Sequence, residues 1–301
     1  MRAIVTGASG LVGSYLSEQL LERGYEVLGL SYGQEEHIAH LKQKKNFQYM
    51  NADIRDFERI LEIFQQYHPQ GVFHAAALLP PKAEGSDPFP FFEINVRGTL
   101  NVLEACCRSG MKKIIYSSSM NVYGKDIQIL PVKETCPPHP FDFYSITKLQ
   151  GEEFCRLYAE FYGLQTTVLR CSGIHGFPRK GGAVYSFIRN ALDNKPLEIL
   201  SDMSWDTLYV EDVARANILA FEKDSPSSFS IFNIGGGKEI HLKDLAQKII
   251  AMTNSQSEIV TKESTGSSHF FLDISKAKEQ LGFSPRPLEE GLQEFIQKLR
   301  E

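Results

Sequence analysis

Thr6-Gly7-Ala8-Ser9-Gly10-Leu11-Val12-Gly13 decides how the rest of the chain is read. It follows the apolar run Ala3-Ile4-Val5 and precedes Val12, Leu16 and Leu20, apolar residues at helical spacing closed by Gly24. A strand that turns through three glycines into a helix is the setting of a dinucleotide fingerprint. The glycines permit a tight turn, the backbone approaches a pyrophosphate, and the helix N-terminus faces its charge. An ordinary glycine-rich strand-to-helix turn is the bland alternative. Position at the end of a first strand favours the cofactor reading, with Gly7, Ser9, Gly10, Leu11, Val12 and Gly13 as its contacts.

Outward from that turn, strand-like runs recur at Glu26–Leu30, Phe47–Met50, Gly71–Ala75, Lys113–Ser117 and Thr166–Arg170. Helical patterns lie between them, for instance Phe57, Ile60, Leu61 and Phe64, ending near Pro69. Strands joined by helical crossovers form a parallel sheet covered on both faces. The expected fold is α/β, a doubly wound parallel sheet with a smaller C-terminal lobe. Residues 1–170 read as the dinucleotide-binding domain, with a returning segment near 206–235, and 171–301 as mainly a substrate-binding lobe. In the second part, helices are expected over Tyr185–Leu192, Tyr209–Phe221, Leu242–Met252 and Leu288–Leu299, with a strand at Ser230–Ile234 before Gly235-Gly236-Gly237.

Composition narrows the function classes. The 301 residues are 42% apolar and 23% charged, ordinary for a globular chain, and 32 Lys plus Arg against 37 Asp plus Glu give a net charge of −5. That balance lacks the basic footprint of a nucleic-acid binder. Cys106, Cys107, Cys136, Cys155 and Cys171 are odd in number and form no CxxC pair, so neither a disulfide framework nor a zinc site is read from them. No apolar run approaches membrane-spanning length, and the strand at the very N-terminus leaves no room for a signal peptide. A cytoplasmic protein without membrane or nucleic-acid partner is expected. His74 and His175 read as locally satisfied histidines, since the sequence sets no metal-ligand spacing around them.

Tyr144-Ser145-Ile146-Thr147-Lys148 is the second signal. On a helix Tyr144 and Lys148 share a face, and a nearby ammonium lowers a phenol toward working pH, making it able to exchange a proton with a substrate oxygen. Such pairs also occur on solvated helices. Ser117-Ser118-Ser119 ends the fifth strand at the sheet edge where doubly wound folds bind ligands, unless it is only a polar turn.

Together Gly7, Gly10, Gly13, Ser119, Tyr144 and Lys148 resemble the extended branch of the short-chain dehydrogenase/reductase superfamily, which contains nucleotide-sugar epimerases, dehydratases and 4-keto reductases. Asp53-Ile54, His74-Ala75-Ala76-Ala77, Asn95-Val96-Arg97-Gly98-Thr99, Asn121-Val122-Tyr123-Gly124 and Tyr209-Val210-Glu211-Asp212-Val213-Ala214 also match. The resemblance runs from Gly7 to about Pro285. It implies Tyr144 as acid/base, Lys148 as its modulator and a ligand of the nicotinamide ribose, and Ser119 as holder of the substrate oxygen. It further implies Asp53 on the adenine amino group with Ile54 beside the ring, Ala75, Ala76 and Ala77 along the inner ribose, and Asn95 near the cofactor. NAD is the implied cofactor. NADP stays open, because Ser31 stands where many members carry an acidic residue and no Arg or Lys adjoins it.

Other departures concern the substrate. Met120 and Asn121 occupy the positions of the dehydratase acids, and neither can protonate a leaving hydroxyl. Gly173 replaces the family's Asn, and Trp205 replaces an Arg that often holds the nucleotide diphosphate. Arg179, Lys180 and Arg189 are the cations nearby, Arg179 being the substrate candidate against a solvated surface role. Substrate contacts are therefore expected at Ser119, Asn121, Gly173, Arg179 and Trp205. The implied activity is epimerisation of a sugar or nucleotide sugar through a transient keto intermediate. The alternatives are a 4-keto-sugar reductase or dehydrogenase, and a non-catalytic dinucleotide-binding redox sensor. A homodimer packed through helices near Phe92–Cys107 and Tyr144–Phe161 is also implied.

Overall fold

The computed structural model describes every residue except 34, 81–86, 126, 202, 226 and 264–268. In chain order the strands are β1 (Arg2–Thr6), β2 (Glu26–Ser31), β3 (Phe47–Asn51), β4 (Gly71–His74), β5 (Lys113–Ser119), β6 (Gln165–Cys171), β7 (Gly173–His175), β8 (Leu197–Leu200), β9 (Ser204–Trp205), β10 (Thr207–Tyr209), β11 (Phe229–Ile234), β12 (Ile240–His241) and β13 (Ile259–Lys262). The helices are α1 (Leu11–Glu22), α2 (Phe57–Tyr67), α3 (Pro88–Phe91), α4 (Gly98–Arg108), α5 (Phe143–Tyr162), α6 (Gly182–Leu192), α7 (Val210–Glu222), α8 (Leu242–Thr253), α9 (Ser275–Leu281) and α10 (Leu288–Arg300).

Seven parallel strands form the central sheet in the order β11-β6-β5-β4-β1-β2-β3. Alternate side chains of β1 enter opposite cores. Ala3 and Val5 pack with α1 and α7, whereas Ile4 packs with residues of α2, α4 and α5. The order reverses between β1 and β4, which opens a crevice at the carboxyl ends of those strands.

β11 comes from beyond position 171 and pairs with β6 over its whole length, so the chain returns to the sheet after an excursion. That excursion and the C-terminal segments build a lobe of short strand pairs, β10 with β7, β12 with β9 and β13 with β8, packed with α6, α8 and α10. The two-residue and three-residue strands β7, β9, β10 and β12 give no readable alternation in sequence, and neither they nor α9 were expected. The helix expected from Phe92 begins instead as a π turn over Phe92–Arg97 and becomes α-helical only at Gly98. Among the described residues, no helix is long and apolar enough to cross a membrane.

Candidate active site

The glycine turn is shaped by what a side chain would strike. Gly7 has φ +71°, and a Cβ there would lie 2.7 Å from the backbone nitrogen of Ala76. A Cβ on Gly13 would lie 2.1 Å from the carbonyl oxygen of Gly7. The first glycine thus lets β1 and the segment after β4 meet, and the third seats α1 against the turn. Gly10 caps α1 without a side-chain hydrogen bond, and no acidic residue occupies the first turn. Leu11 and Val12 open that turn, so its backbone N–H groups stand ready for an anion.

A groove of about 300 Å³ runs from this turn past Ser31, Asp53, Ile54 and Ala75–Ala77. The Ser31 hydroxyl accepts from the Ser9 nitrogen at 2.9 Å, pinning the glycine turn to the end of β2. The Asp53 carboxylate holds the Arg55 guanidinium, Nε at 3.0 Å, and its hydrogen bonds with Arg55 keep it below the usual carboxylate range. Arg55 lines the groove beside Ser31 and Tyr32, a placement not visible from the residues that adjoin Ser31 in sequence. Glycine cradle, uncapped helix start and the lining of the groove together fit a dinucleotide such as NAD.

Asn95 is buried, and its amide is fully engaged. Its Oδ1 accepts from the Leu78 nitrogen at 2.7 Å, while its Nδ2 donates to the Leu78 carbonyl and to Thr147 Oγ1, both at 3.1 Å. It ties the loop after β4 to α5 and so shapes the cofactor side of the crevice from behind. His74 is likewise satisfied. Thr99 Oγ1 donates to the Asn95 carbonyl, so His74 Nε2–H donates to Thr99 and Nδ1 accepts from Thr6 Oγ1 at 2.6 Å.

α5 carries the reacting groups. Asp142 and Ser145 form a reciprocal capping box at its start, fixing the turn that bears Tyr144. The Ser119 side chain lies close enough to Tyr144 to favour its phenolate. The Ser119 oxygen accepts from the Asn121 nitrogen at 3.2 Å, which leaves its hydroxyl proton free to donate. Burial pushes the Tyr144 phenol up to about 12, opposed by the nearby Ser119 hydroxyl and by the positive charge of Arg179. Burial pushes the Lys148 ammonium down to about 8, opposed by Glu152. Lys148 Nζ rests 4.3 Å above the Tyr116 ring. Desolvation thus dominates the Tyr144 phenol, and Arg179 is a cation that opposes it from the lobe.

Arg179 leaves the lobe loop after β7, its Nη1 bonded to the Ile174 carbonyl at 2.8 Å, and reaches the field of Tyr144. Ser119, Asn121, Tyr144, Lys148 and Arg179 are thus brought to one edge of the sheet. Gly173 and Trp205 lie in the lobe on β7 and β9. The Gly173 nitrogen donates to the Asp206 carbonyl, and Trp205 packs partly against the larger core. Two close neighbours of the site escaped the sequence reading. Cys171 lies near both Tyr144 and Lys148, and Tyr116 lies under the ammonium. No residue-type pattern marks either, because the contacts join α5 to β5 and β6.

Known proteins share this fold and sequence. A model of the NAD dependent epimerase/dehydratase family matches residues 3–235. UDP-glucose 4-epimerase of Mycolicibacterium smegmatis is 30% identical, covering 100% of this chain and 99% of its own. UDP-glucuronate 4-epimerase of Thermodesulfobacterium geofontis is 29% identical over 97% of this chain and 94% of its own. Among solved structures, UDP-glucose 4-epimerase of Thermotoga maritima with UDP-glucose superposes with a TM-score of 0.89 at 33% identity, covering 100% and 99% of the two chains. UDP-glucuronic acid 4-epimerase of Bacillus cereus with UDP-glucuronic acid and NAD also gives 0.89, at 27% identity and the same coverage. With its glycine turn, its Tyr144–Lys148 helix and this similarity along the whole chain, the protein belongs to the NAD dependent epimerase/dehydratase family.

Proposed function

We propose that the protein is an NAD-dependent epimerase of a nucleotide sugar, inverting a hydroxyl-bearing carbon through a transient keto sugar. The observation that supports this reading is Ser119, at the carboxyl end of β5, beside Tyr144, with Lys148 one turn further along α5 and no carboxylic acid at 120 or 121. Bound NAD would supply the reversible hydride chemistry at the sugar carbon. The glycine turn and the α1 N-terminus would hold its pyrophosphate, and Asp53, Ile54 and Ala75–Ala77 would line its adenosine side.

Tyr144 accepts the proton of the substrate hydroxyl and later returns it to the keto oxygen. Ser119, with its hydroxyl proton free, holds that oxygen beside the phenol. Lys148 stabilises the phenolate from the same helix face and reaches the ribose. Arg179 supplies positive charge next to the reacting carbon, suited to an anionic part of the substrate, such as a sugar carboxylate or the diphosphate. UDP sugars are the substrates named for the relatives, and a UDP-hexose or UDP-hexuronic acid is the class proposed here. Gly173, Asn121 and Trp205 form the proposed sugar-facing wall of the lobe.

The exposed apolar residues Leu100 on α4 and Phe161 on α5, with Phe92 just ahead of α4, support a homodimer joined through these helices. A cytoplasmic location completes the proposal.

Mass spectrometry of small molecules released from freshly purified, denatured protein tests the mechanism. Retained NAD together with interconversion of two UDP-sugar epimers supports an epimerase, which returns its hydride before release. Protein without NAD that turns over only with added reduced or oxidised cofactor is instead a reductase or dehydrogenase.

A further inference from the structure

Glu239, His241 and His269 each present one ligand atom within 4.8 Å of the other two. The sequence gives no hint of this grouping, since His241 and His269 stand 28 positions apart. Ser204 assembles it. His241 on β12 is the direct partner of Ser204 on β9. The Ser204 hydroxyl meets Glu239 Oε1 at 2.5 Å and His269 Nδ1 at 2.9 Å. Glu239 Oε1 and His269 Nδ1 are themselves 2.9 Å apart, and the two imidazole centroids are 6.0 Å apart.

The chain near His269 is anchored as well. Three residues on, the Leu272 nitrogen donates to the buried Asp206 carboxylate, and Leu272 bridges to Val132. Two imidazoles and one carboxylate are the donor set that suits borderline divalent ions, with metal–ligand distances of about 2.0–2.2 Å and a fourth position left for water. Closing the cluster onto such an ion needs side-chain rotation only, because all three groups lie at the surface or half-buried.

We propose that Glu239, His241 and His269 form a zinc-class divalent cation site, with Ser204 orienting its carboxylate and one imidazole. The ion fastens the segment entering α9 to the β9–β12 ribbon that carries Trp205. This site is independent of the epimerase reading.

Tag-free, chelator-treated protein titrated calorimetrically with Zn2+ tests it, with Co2+ absorption reporting the ligand types. The expected result is one ion per chain, Co2+ bands of nitrogen and oxygen ligation without thiolate charge transfer, and loss of binding in His241→Ala and in Glu239→Gln. Ser204→Ala weakens affinity by about 10- to 100-fold, the usual effect of removing a group that orients a metal ligand. Absence of Zn2+ uptake overturns the proposal. So does binding that persists unchanged in the His241→Ala/His269→Ala double variant while circular dichroism shows both proteins folded, which would place the ion on other groups, such as the free cysteines.

Discussion

The Lys148 ammonium lies 4.3 Å above the face of Tyr116, and the Tyr116 hydroxyl reaches back to the Lys148 carbonyl at 3.4 Å. Gly151 makes this possible, since a Cβ there would fall 2.2 Å from the Tyr116 oxygen. A buried lysine whose charge is disfavoured by desolvation thus gains an aromatic face instead of water. The titratable groups around it are Glu152 and Cys155 on α5, Cys171 on β6 and His74 on β4. In the proposed mechanism the Tyr144 phenolate needs Lys148 charged, so activity is expected to have an alkaline limb where Lys148 loses its proton, near its lowered value of about 8.

Tyr116→Leu removes the ring face and destabilises the ammonium by about 0.5–2 kcal/mol, the range of a cation–π contact. The alkaline limb of kcat/KM moves to lower pH by up to about 1.5 units. Tyr116→Phe keeps the ring and leaves the limb in place. Equal profiles for the Leu variant and the native enzyme, measured across pH 6 to 10, about the window set by the lysine reference value, would sink this account.

Glu152, one turn beyond Lys148, is paired inside the protein with Arg170. Nη2 meets Oε2 at 2.6 Å, both side chains are almost fully enclosed, and the Ser118 hydroxyl donates to the same carboxylate at 2.5 Å. Breaking a buried pair strands a charge and costs about 3–5 kcal/mol, whereas removing both partners costs less. Glu152→Gln is therefore expected to lower unfolding free energy by that amount in urea. The double variant Glu152→Gln/Arg170→Gln recovers part of it. Strict additivity of the two single effects in the double-mutant cycle would show that the pair is not coupled.

The sheet and its cofactor edge were legible because periodicity and glycine placement are local. Ala3–Val5, Gly7 and Gly13 announce strand, turn and helix within a dozen residues, and β1 with α1 follows that reading. Tyr144 and Lys148 were legible for the same reason, four residues apart on one helix. Partners contributed across the fold were not. Tyr116 and Cys171 reach Lys148 from two strands, Arg55 enters the cofactor groove by turning back on Asp53, and His269 meets Glu239 across the lobe. The sign of the Tyr144 shift escaped too, because desolvation is a property of the packed site and outweighs the charges that spacing suggests.

Desolvation also sets how the fold responds to acid. His74 and His175 are buried and held down to about 3, against 6.5 for an ordinary histidine. Thr207 Oγ1 donates to the Gly173 carbonyl and so accepts from His175 Nδ1–H, fixing the neutral tautomer. Below pH 6.5 the unfolded chain binds protons that these native histidines refuse. Stability therefore falls with pH, by up to about 1.4 kcal/mol per unit for each residue. Asp206 works in the opposite direction. Burial pushes its carboxyl up to about 6 from 3.8, although the Gly236, Gly237 and Leu272 nitrogens donate to it. Between about pH 6 and 4 the native Asp206 binds protons that the unfolded one does not, cancelling about one histidine's slope. His175→Asn can keep the donor to Thr207 while removing the titration. Its unfolding free energy should lose less than the native protein's on acidification from pH 6.5 to 4, by up to about 1.4 kcal/mol per unit. Urea titrations of both proteins across that range measure the difference directly, and parallel curves would mean that His175 is not held neutral by its surroundings.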